Sequence, residues 1–447
     1  MKMSMIELRD ILVRFFVFVF LLIFLGMVLE GCTDKCETSN VYYYYEPVYT
    51  TMEDIRASVR QESPRDMESS GKIYIYGNTL FVNEPGNGVH VIDNSDKSNP
   101  VPLSFINIPG NFDIAAKGSF LYADSYLDLL TFDLSDINNI KMVRRIEDVY
   151  LNFSSAGFRS HPELGVVTDW VQIETVDNFE ADCGEFSGNI VPWGGGFLME
   201  ADFANASRTL SVSQVNSAAS IAPQAGIGGS MARFAITGNH LYAVDDWQLY
   251  VFNIVNPADP DLGNKIDLGW GIETIFPYKQ NLFIGANNGM HIYDNSNPSE
   301  PAYLSSFTHA TACDPVVVND DYAFVTLRSG NACEGFVNQL DVVDIRDLNS
   351  PTLVKTYPMD NPHGLGIDGD NLFLCEGEFG LKVFDIEDLQ EISDNLIKHI
   401  DDVHAFDVIP FQNNLIMVGQ DGLYQFDYTD PAALPLRSHL PIVVPSE

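Results

Sequence analysis

The hydrophobic positions of this chain recur in a unit of about forty residues. One copy, from Gly271 to Phe307, has four short apolar segments separated by turn residues. In its third segment, Met290, Ile292 and Tyr293 precede the acid Asp294. Apolar residues at alternate positions are typical of a β-strand, because successive side chains of a strand point to opposite faces. The unit therefore predicts four short strands and no helix.

The acid that closes the third segment, or an Asn in its place, marks each copy of the unit. Successive anchors are 40, 120, 41, 50, 41 and 42 residues apart, so four of the six intervals lie within two residues of forty. We expect the anchor side chains to cap tight turns rather than to bind calcium. The seven anchors are Asp93, Asp133, Asn253, Asp294, Asp344, Asp385 and Asp427.

Seven such units predict a closed ring of sheets. The sheet of one unit is apolar on both faces, so it must bury those faces against neighbouring sheets around an axis. We therefore expect an all-β protein, a seven-bladed β-propeller of four-stranded antiparallel blades, over about residues 71–445.

The third segments LDVVD (340–344) and LKVFD (381–385), each followed by Ile, resemble the LVIVD-repeat family. The resemblance covers about residues 71–445 apart from one insertion, and it implies a fold but no activity. It also implies that the link between two blades lies on the same face as the turns between second and third strands.

The interval of 120 residues contains an insertion of about eighty residues, roughly 151–230, after the fourth strand of blade 2. Its first part, residues 164–176, is expected to form a hairpin or an extra strand pair, and a degenerate eighth blade is the alternative. The interval of 50 reflects a longer loop in blade 5, residues 328–339. The resemblance implies that both lie on one face, which we call the insertion-bearing face.

The N-terminus predicts export. Three basic residues precede an apolar run over residues 15–29, which is short for a membrane-spanning helix but typical of a signal peptide. The run ends in LEGC (29–32), which resembles a bacterial lipobox and implies acylation of Cys32. An ordinary signal peptide or a short membrane anchor is the alternative. We expect a signal peptide over residues 1–31 and an acylated tether over 32–70, in which residues 41–49 are suited to extending a sheet edge.

The charged residues after Cys32 resemble lipoprotein sorting sequences, so we expect a cell-envelope protein of a Gram-negative bacterium, anchored in the outer membrane. The net charge is −38, and residues 1–31 hold as many bases as acids. This charge excludes a nucleic acid partner, because nucleic acid affinity depends on Lys and Arg neutralising phosphates. No cofactor is predicted, although the surface is compatible with Ca²⁺.

One polar residue per unit stands at the start of the predicted innermost strand. These side chains are expected to surround the mouth of the channel and bind a cation, a carboxylate or a sugar; the alternative is that they line a channel filled with water. The ring consists of Lys72, Asp113, Arg233, Glu273, Asp314, His363 and Asp407. Further binding candidates on the same face are Asp124, Asp128, Trp270, Arg328, Glu376 and His404.

The six cysteines divide into three groups. Cys32 is the lipidation site. The geometry implied by the resemblance brings Cys313 and Cys333 to the same face of blade 5, so a disulfide is expected in an exported protein, and two free thiols are the alternative. The remaining three, Cys36, Cys183 and Cys375, are assigned to no pair.

The sequence contains no motif of a serine hydrolase elbow, a zinc protease or a phosphate-binding loop. His90 and His291 occupy the same place in their repeats, which Thr131 and Tyr250 fill elsewhere. A position filled so variably is interpreted as an exposed strand position rather than as a metal ligand.

Three hypotheses for the function remain, of which the third is a purely structural role in which Ca²⁺ rigidifies an acidic ring. The preferred hypothesis is a binding or scaffold module for a protein or glycan partner on the insertion-bearing face. The alternative is a glycan hydrolase or lyase that uses rim carboxylates, which requires two carboxyl groups about 5–5.5 Å or roughly 6.5–9.5 Å apart. Its candidate residues are Glu273, Asp314, Glu376 and Asp407.

Overall fold

The computed structural model of the chain describes residues 14–20, 35–151, 154–155, 158–161, 163–182, 227–309, 315–329 and 337–443. Two compact units are present: residues 1–48 with 169–200, and residues 49–168 with 201–447. Within the described ranges, no helix has the length and apolar character needed to cross a membrane.

The described residues before the first blade form four elements. These are α1 (residues 14–20), β1 (Lys35–Thr50), α2 (Met52–Ser58) and β2 (Arg60–Glu62). Helix α2 begins after Thr51, whose hydroxyl accepts a hydrogen bond from the Asp54 N–H at 3.2 Å. Strand β2 pairs with the outer strand of blade 1. Part of the expected tether therefore extends a blade.

Blades 1 and 2 are consecutive antiparallel sheets. Blade 1 contains β3 (Ile73–Tyr76), β4 (Thr79–Glu84), β5 (Gly88–Asp93) and β6 (Val101–Asn107), and β2 is its fifth strand. Blade 2 contains β7 (Ile114–Lys117), β8 (Phe120–Ser125), β9 (Asp128–Asp133) and β10 (Lys141–Ile146).

The predicted insertion follows blade 2. Its described part contains β11 (Ser154–Ser155), β12 (Phe158–Arg159) and β13 (Val166–Asp182). Residues 164–176, expected as a hairpin or strand pair, lie mainly within the single long strand β13. Its partner is β1, and the two form a separate two-stranded sheet.

Five further blades complete the propeller. Blade 3 contains β14 (Phe234–Thr237), β15 (His240–Val244), β16 (Gln248–Asn253) and β17 (Asp261–Asp267). Blade 4 contains β18 (Ile272–Tyr278), β19 (Asn281–Ala286), β20 (Gly289–Asp294) and β21 (Ala302–Thr308). Blade 5 contains β22 (Val316–Val318), β23 (Tyr322–Leu327), β24 (Gln339–Asp344) and β25 (Thr352–Pro358). Blade 6 has β26 (Leu365–Asp368), β27 (Asn371–Cys375), β28 (Leu381–Asp385) and β29 (Leu396–Ile400), with a short 3₁₀ helix at Ile392–Asp394; blade 7 has β30 (Ala405–Phe411), β31 (Asn414–Gly419), β32 (Gly422–Asp427) and β33 (Leu436–Pro441). The prediction of a seven-bladed β-propeller is confirmed.

The core lies between the blades, where apolar faces of adjacent sheets are buried together. The ring closes between blades 7 and 1, where Ile73 and Leu80 belong to the same buried cluster as Ile416. At this closure Asn94 and Gln425 exchange two side-chain hydrogen bonds, of 3.0 and 2.8 Å. A satisfied polar pair within an apolar interface fixes how the last blade meets the first.

The seven anchors act in the way that the sequence predicts. Each anchor side chain accepts a hydrogen bond from the backbone N–H two residues later, at 2.8–3.0 Å. Each bond satisfies a donor in the turn between the third and fourth strands. The interpretation of these acids as turn caps is therefore confirmed.

Candidate functional site

The strand order defines two faces of the propeller. The links between blades and the turns between second and third strands lie on the insertion-bearing face. The other turns of each blade lie on what we call the opposite face. Of the predicted site residues, Cys32, Cys313, Asp314 and Cys333 lie outside the described residues. Cys375 is a buried free thiol.

Lys72, Asp113 and Arg233 meet at the innermost strands of blades 1 to 3. Lys72 Nζ lies 2.8 Å from Asp113 Oδ2. The same oxygen accepts hydrogen bonds from the backbone N–H groups of Arg233 and Phe234. The Arg233 side chain reaches Asp246, with Nη2 2.6 Å from Oδ1. Burial lowers the pKa of Lys72, while Asp113 opposes this shift. Lys72 and Asp113 therefore pair with each other, whereas the Arg233 side chain pairs with Asp246 outside the predicted ring.

Asp124 fixes the backbone beneath this pair. Its Oδ1 accepts hydrogen bonds from the N–H groups of Phe112 and Asp113, at 2.7 and 3.0 Å, and from the Asn111 amide at 2.7 Å. Burial raises the pKa of Asp124 to about 6. The hydrogen bonds of its carboxylate fix the backbone immediately before β7.

A second cluster joins blades 5 to 7. The buried imidazole of His363 has its Nε2 3.5 Å from Arg328 Nη1, and its Nδ1 has no hydrogen-bond partner. The His363 ring packs against Phe406, which also contacts His404. Burial, and then the charges of Arg328 and His404, lower the pKa of His363 well below 6.5, so it is neutral at pH 7.

The last two described ring members lie in their innermost strands. Glu273 is the second residue of β18 and is partly buried. Asp407 is fully buried in β30 beside Gly364, where a Cβ atom would come within 2.1 Å of Asp407 Oδ1. Only Gly fits this approach.

Two predicted rim carboxylates are paired with bases. Asp128 accepts from Arg56 of helix α2 through both oxygens, each at 2.8 Å, and also contacts Arg145 at 3.2 Å. Glu376 lies 3.1 Å from Lys382 Nζ and caps two backbone N–H groups. Both carboxylates are fully buried, so they act as structural ties.

The strand position shared by His90 and His291 was predicted to be exposed, and this prediction is wrong for His90. His90 is 3% exposed, and its Nε2 lies 2.8 Å from Glu84 Oε2. Thr131 and Tyr250 are also buried at this position. The side chain at this position points toward the end of the second strand of its blade, where several blades have an acidic residue. In blades 1, 3 and 6 the residue at this position therefore varies while its partner remains an acid.

Two exposed tryptophans lie on the insertion-bearing face, Trp247 in the turn between β15 and β16 and Trp270 in the link between β17 and β18. Trp270, a predicted rim residue, is 59% exposed, and Trp247 is 41% exposed. Their backbones are joined through the Leu268 N–H, which donates to the Trp247 carbonyl at 2.9 Å. The sequence analysis did not single out Trp247. A large aromatic residue in the turn VDDWQ, at a place where three other copies have Asn, is the signal that identifies it.

A groove of about 650 Å³ opens on the opposite face, between blades 5 and 6. It is formed by the turns over residues 319–322, 367–370 and 386–390 together with Tyr278 and Val354. Its floor is apolar and its edges are acidic. Among the described residues, no group of three or more His, Cys, Asp or Glu side chains is arranged to hold a metal ion.

Comparison with known proteins identifies the repeat. The LVIVD repeat family matches residues 69–105, 280–309 and 311–358. No curated protein matches the chain. Among solved structures it is similar to the computationally designed protein Ika8 (9% identity, 86% of this chain and 92% of that chain, TM-score 0.47). It is also similar to Sqt1 of Saccharomyces cerevisiae (7%, 86% and 86%, 0.47) and BamB from Moraxella catarrhalis (9%, 82% and 99%, 0.43). The three matched stretches lie in blades 1, 4 and 5, so the chain is a β-propeller that contains LVIVD repeats in these blades.

Proposed function

We propose that this protein is a lipid-anchored binding module of the bacterial cell envelope that holds a protein partner on its insertion-bearing face. The observation that carries the proposal is the exposed pair Trp247 and Trp270 on a rigid backbone. Large aromatic side chains dominate the energetics of protein interfaces, because they bury much apolar area with little loss of conformational freedom. Two of them exposed on one face favour a docking site.

The loops that carry the two tryptophans are held firmly. Asp245 Oδ1 accepts hydrogen bonds from the N–H groups of Trp247 and Gln248 at 2.8 and 2.7 Å. The Asp246 carbonyl accepts from Gly271 at 2.9 Å. A site that is ordered before binding loses less entropy when a partner docks.

The ion pairs made by the rim carboxylates support a binding role over glycan hydrolysis. Asp113, Asp128 and Glu376 each lie within 3.2 Å of a Lys or Arg nitrogen. These carboxylates are engaged in structural ion pairs, whereas a glycosidase needs one carboxyl group that is available to donate a proton to the substrate. Of the enzyme candidates, Glu376 is held by Lys382 and by two backbone N–H groups, and Asp407 is fully buried.

The anchor part of the proposal rests on the sequence. The lipobox-like residues 29–32 would attach acyl chains to Cys32, and each buried CH₂ contributes about 0.8 kcal/mol to membrane binding. The charged residues that follow support the outer membrane of a Gram-negative bacterium as the location. The propeller would then present its rim to another envelope protein.

Site-specific photo-crosslinking in cells tests the docking face. A photoreactive residue at position 270 or 247 should give a discrete adduct with one protein. Position 255 is the matched control, because Val255 is 67% exposed on the opposite face of the same blade. A rim that binds glycan instead would give no protein adduct, and the double Trp-to-Ala variant would then lose binding to glycan.

A further inference from the structure

We propose that the groove between blades 5 and 6 binds a basic segment of a second protein, with an apolar side chain inserted between flanking Lys or Arg residues. This surface lies on the face opposite the two tryptophans. The inference is therefore independent of the docking site proposed above, and together the two surfaces would let one propeller bridge two proteins.

The floor of the groove opens onto the hydrophobic core. Val318, Ile367 and Ile386 are buried members of the core cluster of blades 4 to 6, and Val354 and Leu389 pack against it. An apolar side chain in the groove would displace water from Val354 and Leu389, which are only partly buried.

The edges of the groove carry six carboxylates, which come from three turns. Lys279 neutralises Asp320 at 2.7 Å. Within the described residues, Asp321, Asp370 and Glu387 form no ion pair, and they are exposed. The six are Asp320, Asp321, Asp368, Asp370, Glu387 and Asp388.

The bases near the groove do not balance these acids. Arg346 is paired with Asp344, and Lys355 donates to the carbonyl of Gln390. An excess of negative charge around an apolar floor complements a partner that is basic and apolar at once. The net charge of −38 adds a long-range attraction for such a partner.

The turns that form the groove are fixed before a partner arrives. Asn319 Oδ1 accepts from the Asp321 and Tyr322 N–H groups at 3.1 and 2.8 Å. Asp388 Oδ1 accepts from the Gln390 N–H at 2.8 Å. Substitutions of Asp321, Asp370 and Glu387 leave these two turn caps intact, which makes those residues suitable for a test.

Fluorescence anisotropy with purified full-length protein in detergent tests the proposal. The probe is a labelled peptide of alternating Lys and Leu, and a second peptide has Ser in place of Leu. The variant Asp321→Asn/Asp370→Asn/Glu387→Gln should weaken binding of the Lys–Leu peptide about tenfold. The control Glu378→Gln/Asp401→Asn/Asp402→Asn removes the same charge from the other face and should change the affinity less than twofold.

Two further measurements separate the groove from general attraction to an acidic surface. Leu389→Ser should weaken binding of the Lys–Leu peptide and leave the Lys–Ser peptide unaffected. Trp247→Ala/Trp270→Ala should bind both peptides as the wild type does, so failure at one face is distinguishable from failure at the other. The proposal would be overturned if both charge variants lost the same affinity for the Lys–Leu peptide, or if the wild type bound the Lys–Leu and Lys–Ser peptides equally well.

Discussion

Lys72 and Asp113 form a buried ion pair between the innermost strands of blades 1 and 2, with 2.8 Å between Nζ and Oδ2. Both side chains are 2% exposed. Asp113 also accepts hydrogen bonds from Ile114 and from Phe234 in blade 3. Two residues predicted to bind a ligand at the channel mouth thus connect three blades.

Lys72→Met should destabilise the propeller by about 3 kcal/mol, because it leaves the Asp113 carboxylate buried without its cation. Urea unfolding followed by fluorescence measures the change. Lys279→Met is the control, because the Lys279–Asp320 pair has a similar length, 2.7 Å, but lies in solvent. That variant should unfold like the wild type. Similar losses in both variants would contradict a structural role that depends on burial.

Asp344→Ala should cost about 1 kcal/mol, because the turn after β24 loses the hydrogen bond to the Arg346 N–H. Asp344→Asn should cost much less, since Asn253 caps the equivalent turn of blade 3 in the same way. Thermal melts of the three proteins measure this order. An Asn variant as unstable as the Ala variant would assign the effect to the lost ion pair with Arg346.

Asp124→Asn should change how stability depends on pH. The pKa of Asp124 is about 6 in the folded chain against an ordinary value of 3.8, so the folded state binds this proton more tightly. The contribution of Asp124 to stability therefore falls as pH rises from about 4 to about 6, by at most about 3 kcal/mol. Relative to the wild type, the variant should gain stability across this window.

Asp93→Asn should change the pH dependence of stability in the opposite direction. Hydrogen bonds from Ser95 lower the pKa of Asp93, so its stabilising contribution grows as pH rises. The Asp93 variant should lose stability relative to the wild type as pH rises. Parallel pH profiles for the two variants would refute the assignment for Asp124.

The repeat made the fold predictable, because each copy has apolar residues on both faces of its sheet and only a closed ring buries them all. The positions of the ring residues followed from the same register. Lys72, Asp113 and Arg233 were expected at the starts of innermost strands, and they precede β3, β7 and β14 directly.

What the repeat could not predict depends on contacts between distant or non-repeated residues. Strand β13 pairs with β1 across more than a hundred residues, and no copy of the unit contains either strand. Arg56, in a helix outside the repeat, forms an ion pair with Asp128. Asp128, a predicted binding residue, therefore has a structural role. The groove is formed by turns of two blades, so the spacing of residues within one repeat does not predict it.

Cys32→Ser should release the protein from membranes, because the thiol that would carry the lipid is removed. Fractionation of cells expressing the two forms, with detection of the protein in soluble and membrane fractions, measures this outcome. Cys375→Ser serves as the control, because Cys375 lies buried in the propeller. Continued membrane fractionation of the Cys32 variant would reject the lipobox interpretation.

Photo-crosslinking at position 270 tests the central claim, that the insertion-bearing face docks a protein. We expect one discrete protein adduct at position 270, a related adduct at 247, and none at the exposed control position 255. Trp247→Ala should abolish the adduct at 270 and change the melting temperature little, because Trp247 is 41% exposed and lies in a surface turn. No adduct at 270, or equal adducts at 270 and 255, would contradict the account.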